Sequence, residues 1–200
     1  VTGGTDFTEN SLAAIDQTTD VPTNNFATLN PLFPEANIAY SEGNTRVTAD
    51  GSVNWSSVIP TVAVATGKWY WEWKATSTSN CFTGIASETL VNSGVLISDS
   101  TPYDATGLIL YFAAGRKTVD GSDTESHFTA YGSGTMSAAL DLDSGTRTIT
   151  FYHNGSATGD VVNLTANFAA AGDVFPVFMV NAGSNPSIQN PNFGNPNTAN

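Results

Sequence analysis

Gly67-Lys-Trp-Tyr-Trp-Glu-Trp-Lys74 is the stretch that decides the fold. In an extended strand successive side chains point to opposite faces, so Trp69, Trp71 and Trp73 fall on one face and Tyr70, Glu72 and Lys74 on the other. A face of three tryptophans reads as core, with the indole N–H groups finding partners inside; a face of Tyr, Glu and Lys reads as solvated. Further along, Met136-Ser-Ala-Ala-Leu-Asp-Leu-Asp143 alternates in the same way, turns at Asp143-Ser-Gly-Thr146 and returns through Ile149 and Phe151 to Asn154-Gly155. An Asn-Gly pair after an alternating run is a strong hairpin signal, because both central residues of the favoured tight turn need positive φ. Two hairpins in series predict antiparallel β, with Trp69, Trp71, Trp73, Leu140, Leu142 and Phe151 in the core.

Working outward, short strands are predicted at Ile38–Tyr40, Arg46–Thr48, Val53–Trp55, Val62–Val64, Cys81–Ala86, Leu108–Phe112, Ser126–Tyr131 and Val174–Val180. Short strands at regular spacing, with Gly and Asn between them, predict a sandwich or barrel. Only Ser11–Ile15 has the look of a helical turn, and there is no long amphipathic helix or internal repeat. Residues 1–35 are turn-rich and read as an arm or linker, pinned to the sandwich by Phe26 and Leu29. Residues 36–196 read as the sandwich and 197–200 as a tail.

The chain has 200 residues, which fits a single all-β domain. Its net charge is −12 with only six Lys plus Arg, so neither nucleic acid nor an anionic membrane is an expected partner. No apolar run approaches the roughly 20 residues that cross a bilayer. Cys81 is the only cysteine, which rules out an internal disulfide and reads as a buried, inert thiol. The sequence starts at Val1 without an initiator Met or signal peptide, and is expected to be a piece of something longer.

Catalytic patterns are sparse. His127 and His153 have no Cys or second His at ligand spacing, and both read as structural or exposed. Gly132-Ser-Gly134 is too short for a nucleophile elbow and reads as a loop. Asp141 and Asp143 share a strand face away from Leu140 and Leu142; they are expected to be solvated or to cap the turn, in preference to a glycosidase pair or a metal site. Asp120-Gly-Ser-Asp-Thr-Glu125 carries oxygen ligands but lacks the full acidic pattern of a calcium loop. No phosphate-binding loop or dinucleotide fingerprint is present. No enzyme activity, cofactor or metal is therefore expected. The triple-Trp strand raises sugar stacking as a rival to core, while Trp55, Tyr103 and Tyr131 read as better candidates for exposed aromatics.

Five motifs carry a family resemblance. Gly67 to Trp73 is similar to the Tyr-Trp-Glu-Val strand of SPRY domains, Thr83-Gly-Ile-Ala86 to their Gly-Ile-Ala strand, and Ala139–Thr146 with Phe151-Tyr-His-Asn-Gly155 to their Leu-Asp and Phe-Tyr-Lys-Asn-Gly motif. Val174-Phe-Pro-Val177 and Asn192-Phe-Gly194 match motifs near the family's end. His153 stands where Lys is frequent, Trp73 where Val is usual, and Arg147-Thr148 looks like an insertion that keeps strand parity. The resemblance implies an antiparallel β-sandwich of the SPRY/concanavalin-like jelly-roll kind, with ligands met by loops joining the sheets. Here those are the loops around Asn44, Trp55, Leu90 to Asp104 and Asp120 to Glu125, with Asn44, Trp55, Tyr103, Asp104, Asp120, Asp123 and Glu125 as candidates. Asp20-Val-Pro-Thr-Asn-Asn-Phe-Ala-Thr-Leu-Asn-Pro31 resembles a segment preceding SPRY-like domains in structural proteins of tailed bacteriophages. It implies a virion protein, multimeric in the particle, in a tail fibre, spike or head appendage that binds a host-surface glycan or receptor. The alternative is an architectural decoration of capsid or tail contacting other virion subunits; a glycan hydrolase or lyase is the third reading.

Overall fold

The alternation at Trp69 to Lys74 becomes a strand at the middle of one sheet. The computed structural model describes residues 26–33, 38–49, 55–75, 81–98, 104–112, 114–124, 128, 130, 134–169, 172–181 and 188–193. The strands are β1 (Ile38–Ser41), β2 (Arg46–Ala49), β3 (Trp55–Val58), β4 (Lys68–Ala75), β5 (Cys81–Ser87), β6 (Leu108–Phe112), β7 (Lys117–Val119), β8 (Ser122–Thr124), β9 (Met136–Asp141), β10 (Thr148–His153), β11 (Ser156–Ala157), β12 (Val162–Asn163), β13 (Val174–Asn181) and β14 (Ile188–Asn192). One sheet has eight strands, ordered β1-β2-β14-β4-β9-β10-β11 with β12 also on β10; the other has six, ordered β3-β13-β5-β6-β7-β8. The ladders between them are antiparallel, as the hairpin reading requires. The protein is an all-β sandwich.

The two sheets face each other across one core. Trp71, Trp73, Met136, Ala138, Leu140 and Phe151 of the first sheet pack with Ile85, Ile109, Tyr111, Phe178 and Val180 of the second. Trp73 meets Phe178 edge-on at 6.2 Å, and Tyr111 meets Phe151 at 5.4 Å. The Nε1–H groups of Trp71 and Trp73 have no hydrogen-bond acceptor, contrary to the expectation that both would find one inside. Burying a Trp ring gains roughly 4–6 kcal/mol at ~25 cal/mol per Å² over ~150–250 Å². An unpaired buried donor costs about 1–3 kcal/mol, so burial wins.

The second sheet is covered on its other face as well. Phe82, Ala86, Leu108, Leu110, Phe112, Val177 and Met179 form a separate apolar cluster with Phe33, Leu90 and Leu96. Leu90 lies on α1 (Glu88–Ser93) and Leu96 on α2 (Val95–Ser98). The resemblance implies a loop over Leu90 to Asp104, and the structure has these two short helices there instead. The signals of the first are a Ser87 N-cap, whose Oγ accepts from Leu90 N–H at 3.3 Å, and Gly94, left-handed at φ 78. Double coverage explains why every residue of β5 is buried, against the alternation seen at β2. At Gly84 the neighbouring strand comes so close that a Cβ would stand 1.8 Å from the Ile109 carbonyl oxygen.

One predicted strand differs from those observed, and two others are described only in part. Val62–Val64 contributes only the isolated bridge of Val64 to Val174. Of Val53–Trp55, Trp55 opens β3, which runs on to Val58; Val53 and Asn54 lie outside the described residues. Of Ser126–Tyr131 only Phe128 and Ala130 are among the described residues; neither is in a strand, and Phe128 packs in the core at 4.9 Å from Tyr111. Phe128 N–H donates to Gly115 O at 2.7 Å. Before it, a strand that was not expected, β8, pairs with β7, because Asp120 (φ 51) and Gly121 (φ 75) close a two-residue hairpin with Val119 opposite Ser122. Ser11–Ile15, His127, Tyr131 and the tail at 197–200 lie outside the described residues. Within the segment read as an arm, Leu29 is fully buried; its N–H donates to Asn44 O at 2.8 Å, and Asn30 N–H donates to Ile59 O at 2.9 Å.

Trp73→Ala is expected to cost about 3–5 kcal/mol in urea unfolding, as a large truncation in a packed core. Trp69→Ala should cost less than half as much, since that ring is 45% exposed. Equal losses would show Trp69 to be covered like its strand-mates.

Candidate functional site

Trp69 is not core. Parity turns it inward with Trp71 (2% exposed) and Trp73 (1%), yet it remains 45% exposed. It sits one residue into β4, at the end of the strand where the opposing sheet no longer covers it. Gly67 makes the entry into β4 at φ 95, and a Cβ there would meet Trp69 Nε1 at 3.1 Å, so glycine is needed twice over. The indole Nε1–H donates to Thr66 O at 2.7 Å, which spends its polar edge and fixes the ring.

A clamp from the β9–β10 turn holds this entry in place. Gly67 N–H donates to Asp143 Oδ1 at 2.7 Å, and Leu142 N–H to Gly67 O at 3.0 Å. Asp141 Oδ1 accepts from the N–H groups of Asp143 and Ser144, both at 3.0 Å, and Asp141 Oδ2 accepts from Ser144 Oγ at 2.8 Å. Lys68 Nζ lies 2.7 Å from Asp141 Oδ2. Asp141 and Asp143 are thus turn-capping residues, one of the two roles expected of them. The Lys68 ammonium, then Ser144, hold the Asp141 carboxyl well below the usual carboxylate range. Asp141 in turn raises Lys68 above its ordinary value.

Beside Trp69 a cavity of about 240 Å³ opens between the sheets. Trp69 and Trp71 line it from β4, Phe193 from the end of β14, and Pro176 from β13. Val62 and Val64 close the side leading into β4, and Phe26 and Ala27 come from the N-terminal segment. Tyr70 borders it from between the two tryptophans, but its side chain is on the opposite strand face, where it is 56% exposed and its hydroxyl donates to Glu72 Oε1 at 2.6 Å. Desolvation and that carboxylate raise the Tyr70 pKa, so the phenol stays protonated.

The candidate residues named from sequence do not converge on one surface. The register Ser87 with Val174 and Ala86 with Leu108, together with the bridge of Val64 to Val174, sets Gly107, Asp104 and Asp120 at the Trp69 end of the sandwich. Asp120 Oδ1 accepts from Gly107 N–H at 2.7 Å, and Asp104 O lies against Gly121. Asp120 is therefore a hairpin residue tied to its own sheet. Asn44 sits in the β1–β2 turn at φ 63 and receives Leu29 N–H on its carbonyl. Trp55 belongs to the opposite end, opposite Asn181 at the close of β13. It is not an open platform, because it stacks on Phe82 at 3.9 Å and is half-buried. Asp123 is on β8, paired with Thr118. Tyr103 and Glu125 lie outside the described residues. Among the described residues no three His, Cys, Asp or Glu gather in a way that could hold a metal ion. His153 lies 3.2 Å from the Asn154 amide at the hairpin turn.

No protein-family model matches the chain, and no curated protein matches it in sequence. Solved structures share its architecture. It is similar to the structure of stonustoxin at a TM-score of 0.62 and 17% identity, over 94% of this chain and 31% of that one. It is also similar to the PSpry domain of TRIM65, at a TM-score of 0.58 and 18% identity, over 82% of this chain and 90% of that one. The fold is that of a SPRY-like β-sandwich. The chain thus spans under a third of the stonustoxin chain it matches.

Asp141→Asn should destabilise the protein and loosen the β4 entry at neutral pH. A depressed folded-state pKa gives stability that is complete above the unfolded value of about 3.9 and lost as pH falls toward the folded value. The gap between wild type and variant is expected to stay constant from about pH 5 to pH 9 and to close below about pH 4. Thermal unfolding across that range measures it; a gap that closes near neutrality would show that Asp141 is not the group responsible.

Proposed function

We propose that this chain is a non-catalytic recognition module of a bacteriophage particle, binding a host-surface glycan or receptor through the end of the sandwich that carries Trp69. The observation that carries this reading is the half-exposed Trp69 indole, fixed by its hydrogen bond to Thr66 at the mouth of a cavity. A large aromatic held in one rotamer loses little entropy on binding, which is what a recognition anchor requires. The virion assignment rests on the likeness of Asp20–Pro31 to segments of phage structural proteins, and the SPRY-like fold is compatible with it.

The second reading, an architectural element contacting other virion subunits, is favoured by the way the N-terminal segment enters the domain. Thr61 N–H donates to Thr28 O at 2.7 Å and Leu29 is fully buried, so residues before Phe26 would be carried on a rigid mount.

The two readings separate by experiment. Labelled protein is expected to adsorb to host cells, and Trp69→Ala to weaken adsorption at least about tenfold while leaving the circular dichroism spectrum unchanged. Adsorption that is absent, or indifferent to Trp69, would overturn the first reading. Deleting residues 1–25 should abolish incorporation into particles if the second holds; full incorporation without them would exclude that segment as the anchor.

A further inference from the structure

We propose that the cavity beside Trp69 is a cage for an alkylammonium group, of the quaternary or methylated kind, carried by the ligand. The inference rests on the recognition reading and names the chemistry of what is recognised. Of the cavity's nine lining residues Phe26, Trp69, Trp71 and Phe193 are aromatic rings facing it, Tyr70 borders it from the strand between the two tryptophans with its ring on the opposite face, and the other four are Ala, Val or Pro. At about 240 Å³ the space lies below the ~300–1,000 Å³ typical of drug-sized ligands, so it accepts one compact group.

The lining decides the chemistry. A pyranose seated inside would bring a hydroxyl on nearly every ring carbon, and each buried hydroxyl needs a partner. The wall offers little for them. The Trp69 Nε1–H is spent on Thr66 O, and the buried Trp71 Nε1–H, which has no acceptor, is a single donor against a ring of hydroxyls. A quaternary ammonium needs no hydrogen bond, since its methyl shell packs on apolar walls while its charge is attracted to the negative faces of aromatic rings.

Charge points the same way. The chain carries 18 Asp plus Glu against six Lys plus Arg, and none of those six cations lines the cavity. Lys68, next to Trp69 in sequence, is neutralised by Asp141 at 2.7 Å. Asp143 stands one hydrogen bond from Gly67, at the entry to the strand that carries Trp69, at 2.7 Å. A neutral apolar group would fill the same space but gain nothing from this field; an anion would be repelled.

Titrating the whole chain with choline chloride, followed by Trp fluorescence and calorimetry, tests the inference. Saturable binding is expected, with at least about tenfold weaker binding of choline's neutral carbon isostere and about tenfold weaker choline binding by Trp69→Ala. Trp69→Phe should retain most of the affinity, and added salt should weaken it by screening. Equal binding of the isostere would overturn the charge selection. Binding of a methyl pyranoside without choline would overturn the cage while leaving recognition through this end intact. No binding of any probe would also overturn it, and the recognition reading falls with it only if host-cell adsorption is in addition indifferent to Trp69.

Discussion

The burial of Trp71 and Trp73 between the two sheets is the constraint on which the rest of the structure depends. Their rings fill the space that sets two sheets about 10 Å apart, and Trp73 meets Phe178 of the opposing sheet directly. The gain is large enough to leave two indole N–H groups without acceptors. Once β4 is committed to that face, its period of two turns Trp69 inward as well. At the strand's end there is less of the opposing sheet to receive it, so the same rule that buries two rings leaves a third half-exposed beside a cavity.

The surroundings of Trp69 are built to hold it still. Gly67 admits the ring, Thr66 takes its N–H, and the β9–β10 turn grips the strand entry through Asp141, Asp143 and Lys68. The six-stranded sheet behind adds stiffness, because it is packed on both faces and its central strand is buried throughout. Rigid strands carrying a fixed aromatic at one end make a preorganised surface, which spares a ligand the cost of ordering it. Fold likeness at 17–18% identity says nothing of what that surface meets; its own chemistry has to.

Much of this was legible in the chain. Alternation at Trp69–Lys74 and Met136–Leu142, with the Asn154-Gly155 turn, contains the strands, their antiparallel pairing and most of the core, because strand parity is a local property. Asp120-Gly121 is the same kind of turn signal, set in a run of acidic residues that partly matches a calcium loop. The Ser87 cap and Gly94 stop likewise mark a short helix where the resemblance implies a loop. Trp55 went the other way, since a stacking partner such as Phe82, distant in the sequence, leaves no local trace.

The sequence by itself determined the class of fold and which face of each main strand is apolar, since both follow from side-chain order along an extended backbone. Only the tertiary structure decided which apolar residues are covered. Coverage depends on where the opposing layer ends, and that is set by elements far apart in the chain: β13, the Phe193 end of β14 and the segment at Phe26. Trp69, Trp71 and Trp73 are equivalent as letters at alternate positions; the extent of the sheet opposite them makes two into core and one into a site.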